Sequence, residues 1–226
     1  MFIGHFGLGF AAKRTAPSAS LGTLFVACQF ADLLWPTLLW LGYERVEVQQ
    51  GATLMTPLNF VSYPYSHSLL ALGVWGAAFG VAYGVIRRGR IAPAVTIALL
   101  VVSHWILDYV THVPDLPLTI HGSARVGLGL WNSVPGTLAA EFALFGIGLA
   151  VYLRETRPRD RAGSIGLWSL AAFLVIVYLG STFGPPPPRP TAIAWSAQAM
   201  WLIMIWAFWL DTHRVPTSRR RTPSAR

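Results

Sequence analysis

Charge is scarce in this 226-residue chain: 12% of it is Asp, Glu, Lys or Arg, against about 25% in an ordinary soluble domain, while 54% is hydrophobic. So little polar surface cannot wrap a water-soluble globule. Cysteine is almost missing too. Cys28 stands alone, which excludes an intrachain disulfide and a thiolate metal site and leaves the redox compartment unread. No internal repeat, long polar linker or soluble domain is present. Neither is the His-Glu-x-x-His of an intramembrane zinc protease or the Gly-x-Ser-x-Gly elbow of a serine hydrolase.

What the chain has in abundance is apolar runs long enough to cross a hydrocarbon core of about 30 Å. Six qualify: Leu21–Gly42, Ser68–Ile86, Ile91–Val113, Pro135–Leu153, Ile165–Phe183 and Ala192–Leu210. The expected fold class is therefore all-α, a polytopic membrane helix bundle of about six transmembrane helices. Met1–Ala12 is apolar but too short to span, and its basic pair follows the apolar stretch, opposite to a secretory signal. A short helix lying in the interface or re-entering the membrane is expected there.

Net charge of +8 raises the question of nucleic acid, and the placement of the charges answers it. Of the 17 basic residues only Arg45, Arg125 and Arg189 fall on one set of alternate loops; the rest lie before the first run, after the sixth, or on the other set. Basic loops stay in the cytoplasm, so both termini are expected inside. The lipid bilayer is the expected partner and nucleic acid is not. The reading gives one helical domain over 1–213 and a basic, disordered cytoplasmic tail over 214–226, whose Ser218-Arg219-Arg220-Arg221 serves as a topology anchor or lipid-headgroup contact. Several of the 10 tryptophans, including Trp40, Trp105, Trp131, Trp195 and Trp209, sit near span ends as an interfacial belt does.

Ionisable residues inside such runs cost a few kcal/mol each on insertion scales, so a group of them needs a shared reason. His104 and Asp108 are one helical turn apart, and Thr111, His112 and Asp115 continue along the same face. Counted from the cytoplasmic ends at about 1.5 Å per residue, Asp32 and His104 both lie roughly 18 Å deep, and Asp108 about 6 Å farther out. His67, at the outer end of the second run, and Glu141, in the outer half of the fourth, point to the same region. His5 reaches it if the N-terminal helix re-enters. Imidazole and carboxylate without thiolate suit a mixed N/O site for Zn²⁺, Mn²⁺ or Fe²⁺, whose chemistry would be hydrolysis. A lone intramembrane His is more often an interhelical hydrogen-bonding partner, which is the reading kept for His121 and His213 in loops.

Two motifs invite comparison with phosphatidic-acid-type lipid phosphatases, Pro64-Tyr65-Ser66-His67 and His104-x-x-x-Asp108. That reading fails because Ala98 stands where their Arg is required and their basic first motif is missing. Taken in order, Gly4-His5, Asp32-x-x-x-Pro36, Ser66-His67-Ser68-Leu69-Leu70 and Ser103-His104-x-x-x-Asp108-x-x-Thr111 resemble the YdjM-type bacterial inner-membrane metal-dependent hydrolases, also described as LexA-binding membrane proteins. The likeness runs through the first half of the chain. It implies metal-ligand roles for His5, Asp32, His67, His104 and Asp108. Leu34 and Trp35 stand where the family's second Asp and its His would fall, and Ser62 and Tyr63 where the first His and the Arg of its His-Arg-Gly motif would fall, which leaves a mononuclear site or none. By helical spacing, His112 and Asp115 could replace lost ligands.

The expectation drawn from these readings is a membrane-bound, metal-dependent hydrolase of a phospholipid or other phosphoester. Its divalent ion, zinc first and manganese or iron next, is held by His67, His104, Asp108 and Asp32 with His5 as an additional ligand, and Glu141 or Asp115 acts as general base. Two rivals use the same residues: a small proton-coupled transporter with a titrating His/Asp relay, and a non-catalytic scaffold that keeps the cluster for packing.

Overall fold

The computed structural model describes residues 1–217. Four uninterrupted helices are long and apolar enough to cross a membrane: α5 (Leu69–Ile86), α6 (Ile91–Thr111), α7 (Val134–Glu155) and α8 (Arg161–Phe183). A fifth crossing, Pro190–Thr212, is built from α9 (Pro190–Gln198) and α10 (Met200–Thr212). Their outer faces are what a lipid-facing surface requires, with Val81, Ile86, Ile176 and Ile205 all largely exposed.

The first apolar run is a broken span. Helices α2 (Leu21–Cys28) and α3 (Phe30–Trp40) meet at Gln29 with a bend of 58°. Pro36 lies inside α3, where it withholds one N–H from the ladder, but the bend sits a full two turns earlier. At the bend a side chain from another helix intrudes: His104 of α6 donates Nδ1–H to the Cys28 carbonyl. Insertion of a side chain into the helical ladder is an established cause of a sharp kink.

The N-terminal segment folds as α1 (Ile3–Ala11), roughly 13 Å long and too short to span. It is not on the interface; Ile3, Phe6 and Phe10 are fully buried and α1 packs against α7, α2 and α6. Glycine makes this approach possible, since a Cβ on Gly148 of α7 would lie 2.0 Å from the Gly7 carbonyl oxygen. Small residues that let two backbones touch are the usual device for close helix pairs in membranes.

The connections carry three small antiparallel ribbons. Strands β1 (Arg45–Val48) and β2 (Leu58–Ser62) form a hairpin that leads into a four-residue helix, α4 (Pro64–His67). Strands β3 (Leu116–Pro117) and β4 (Arg125–Val126) pair between α6 and α7. At the opposite end of the bundle β5 (Thr156–Pro158) pairs with β6 (Arg214–Pro216). The chain is therefore still paired at Pro216, beyond the Arg214 boundary expected for a disordered tail, and the arginine cluster Arg219–Arg221 lies outside the described residues.

Candidate metal centre

Four elements deliver side chains to one buried point. His104 and Asp108 lie one turn apart on the inward face of α6, and His112 follows at its C-terminal end. The bend at Gln29 sets Asp32 in the first turn of α3. His67 ends α4, and His5 comes up from α1.

Asp108 is the hub. Its Oδ1 is 3.1 Å from His5 Nε2, and its Oδ2 is 3.2 Å from His104 Nε2 and 3.9 Å from the Nε2 atoms of both His67 and His112. Asp32 Oδ1 lies 3.4 Å from His67 Nε2 and 3.8 Å from His104 Nε2. The ligand atoms of His5, His104 and Asp108, and those of Asp32, His67 and His104, fall within 4.8 Å of one another in each group. The two groups share the single Nε2 of His104, so this donor set suits one ion rather than two. Every one of these residues is buried except Asp32, whose side chain keeps 23% of its exposure and is the group nearest an opening.

Whether the pocket fits a cation is decided by the far side of each imidazole. His104 gives Nδ1–H to the Cys28 carbonyl at 2.9 Å, so in its neutral form Nε2 carries a lone pair, and that buried atom has no hydrogen-bond partner among the described residues. The Ser66 hydroxyl donates its one proton to Glu44 at 2.6 Å, which leaves its oxygen to accept Nδ1–H from His67 at 2.7 Å. Asp115 accepts from the Tyr63 hydroxyl and from His112 Nδ1–H, both at 2.9 Å. Three histidines thus turn Nε2 lone pairs toward the carboxylates of Asp108 and Asp32. Lone pairs facing carboxylates in a dry interior repel unless a proton or a metal cation sits between them, and locking Nδ1 on a carbonyl, hydroxyl or carboxylate is how metal-binding histidines are oriented.

Asp108 and Asp32 are the carboxylates that face the imidazoles, and the amino nitrogen of Met1 also contacts Asp108 Oδ1. The buried His/Asp group could hold a metal ion.

The two residues expected to act as general base have other work. Glu141 accepts from the backbone N–H of Phe2 at 2.8 Å and of Gly4 at 2.6 Å, one on each oxygen, so it ties the start of α1 to α7. Asp115 sits behind His112 and orients its ring. Free backbone N–H groups at a helix start attract a carboxylate, and Glu141 is the one that meets them here. His112 does reach the cluster, as its spacing from Asp108 allows. Glu44, Ser66 and Tyr63 were not among the sequence candidates. Only the adjacency of Ser66 to His67 hinted at this layer, because Glu44 is brought up by the hairpin and not by any helical period. Burial pushes the Glu44 carboxyl above its ordinary value, opposed by the hydrogen bonds from Ser66 and Tyr65.

No family model, no curated protein and no solved structure matches this chain.

Proposed function

We propose that this protein is a membrane-embedded, metal-dependent hydrolase of a phospholipid or other phosphoester, working from the end of the bundle that carries the β1–β2 hairpin. The observation that carries the reading is the set of three imidazoles whose Nδ1 atoms are committed elsewhere and whose Nε2 atoms converge on Asp108 and Asp32. His67, His104, Asp108 and Asp32 hold the ion, and His5 and His112 stand within reach of the same carboxylate. Nitrogen and oxygen donors without sulfur favour zinc, with manganese or iron also compatible. When bound, such an ion supplies Lewis-acid chemistry, activating water and polarising a phosphoryl oxygen. We assign the proton of the attacking water to Asp32 Oδ2, since His67 and His104 both face Oδ1 and Asp32 is the partly exposed member of the set. The ordered likeness to the YdjM-type family supports the same reading.

The broken α2–α3 span beside the cluster favours a second reading, because discontinuous helices also line ion paths in transporters. Metal analysis of the detergent-purified wild type and of His104→Ala separates the two, combined with phosphodiester hydrolysis and proton flux in liposomes. Hydrolase function predicts one ion per chain, lost in the variant, with turnover in the loaded protein and no flux. A metal-free wild type, or a loaded protein that conducts protons and cleaves no phosphoester, overturns it.

A further inference from the structure

A cavity of about 1090 Å³ opens at the other end of the bundle, where α1 finishes at Ala11 and the β5–β6 ribbon lies. It is independent of the His/Asp cluster. One wall is an apolar face of α5: Trp75 and Phe79, whose rings rest on Phe30, then Tyr83 and Ile86, recur at helical spacing along roughly 17 Å. Ile86 is 75% exposed, so this wall continues onto the lipid-facing surface.

The mouth is basic. Lys13, Arg87, Arg90, Arg159 and Arg214 line it, with Asp211 the one acidic residue among the lining groups. Two of these cations are already engaged, Lys13 by Asp211 and the Ala19 carbonyl, and Arg214 by Thr156 and the Gly163 carbonyl. Arg159 donates to the Thr212 carbonyl. Arg87 and Arg90 make no ion pair among the described residues and are exposed at the α5–α6 turn. Deeper in, Tyr83 and the fully buried Tyr152 close the floor of the cavity.

A ligand that satisfies this has a long apolar part and a negative head. We infer that the crevice binds one anionic phospholipid from the leaflet bordering the basic end, with an acyl chain along Trp75, Phe79 and Ile86 and the phosphate at Arg87 and Arg90. A free anion leaves the α5 wall bare, and a zwitterionic lipid leaves the arginines uncompensated.

Native mass spectrometry of the detergent-purified full chain tests this, with phosphatidylglycerol and phosphatidylcholine of identical acyl chains titrated in turn. Wild type should retain one phosphatidylglycerol in preference to phosphatidylcholine. Arg87→Gln with Arg90→Gln should weaken phosphatidylglycerol roughly ten- to thirtyfold and leave phosphatidylcholine unchanged, at about fivefold per arginine. Inorganic phosphate in excess should not displace the lipid. Equal retention of the two lipids, an unchanged variant, or full displacement by phosphate overturns the proposal. Photo-crosslinking of wild type with a diazirine-tagged phosphatidylglycerol gives an answer that needs no variant: adducts on residues 75–90 support the site, and adducts confined to α8 overturn it.

Discussion

His104 Nδ1 stands 2.9 Å from the carbonyl oxygen of Cys28, at the residue where α2 gives way to α3. One hydrogen bond does two jobs there. It satisfies a carbonyl released by the break in the ladder, and it fixes the imidazole so that Nε2 looks at Asp108 and Asp32. The bend in turn sets Asp32 beside His67. The shape of the first span and the direction of a candidate ligand are thus the same structural fact.

Removing this imidazole should therefore damage fold and site together. His104→Ala is expected to lose the ion and, by leaving the Cys28 carbonyl unpaired in a buried place, to cost about 1–3 kcal/mol of stability. His104→Asn, whose amide can still donate to that carbonyl, should recover part of the stability without recovering the metal. Thermal unfolding and metal content on the same preparations check both halves; a metal-replete alanine variant would take His104 out of the ligand set.

The α1–α7 contact offers a test that substitutes none of the ligand residues. A Cβ at position 148 collides with the Gly7 backbone, whereas a Cβ at position 146 meets nothing within 4 Å. Gly148→Ala is expected to push α1 away, withdrawing His5 from Asp108, at about 1–3 kcal/mol for overpacking. Gly146→Ala should be neutral or slightly stabilising in a helix interior. If both alanines melt alike, the close approach of α1 to α7 is not as described.

These two tests also mark what the sequence could and could not show. The membrane spans were legible because 18 or more apolar residues in a row leave few other solutions, and α5 to α8 fall where the runs do. The convergence of Asp32 with His104 was legible by counting depth along helices. The bend at Gln29 was not, because its cause is a side chain from a helix some 75 residues later in the chain. Nor was the true task of Glu141, since depth and side cannot tell a free carboxylate from one already holding the N–H groups of Phe2 and Gly4. Glu44 was invisible for the same reason: its partner Ser66 is reached through a hairpin whose pairing no periodicity announces.

Asp32 separates chemistry from folding. Its side chain is partly exposed and faces only the imidazoles of His67 and His104 among the described residues, through Oδ1, so Asp32→Asn should fold with a near-normal melting temperature. Losing a proton acceptor typically costs about 10²–10⁴ in rate. The expected result is a folded protein with weakened metal retention and turnover of a phosphodiester reduced by that amount even at saturating metal. Wild-type turnover under those conditions assigns the proton to another group.

Glu44 makes the most specific prediction, because it acts through the tautomer of His67. One oxygen accepts the backbone N–H groups of Tyr65 and Ser66, and the other accepts the Ser66 hydroxyl, whose oxygen then accepts from His67. In Glu44→Gln the amide oxygen can keep the two backbone bonds, but an NH₂ now faces Ser66. The hydroxyl must accept from it and turn its own proton toward His67 Nδ1. His67 is then driven to carry its proton on Nε2, where a ligand's lone pair is needed. Metal affinity should fall about 10- to 100-fold, as for other outer partners of metal-binding histidines. Stability should respond in the opposite sense. Burial holds the folded carboxyl above its unfolded value, so its contribution is full below the unfolded value and is lost as pH rises through the folded one. Glu44→Gln removes that loss and should unfold at an equal or higher temperature than wild type at neutral pH, with a flatter pH dependence above the carboxylate range. A competing-chelator titration beside melts from acid to neutral pH reads both. A variant that binds metal as wild type does would sever Glu44 from the site.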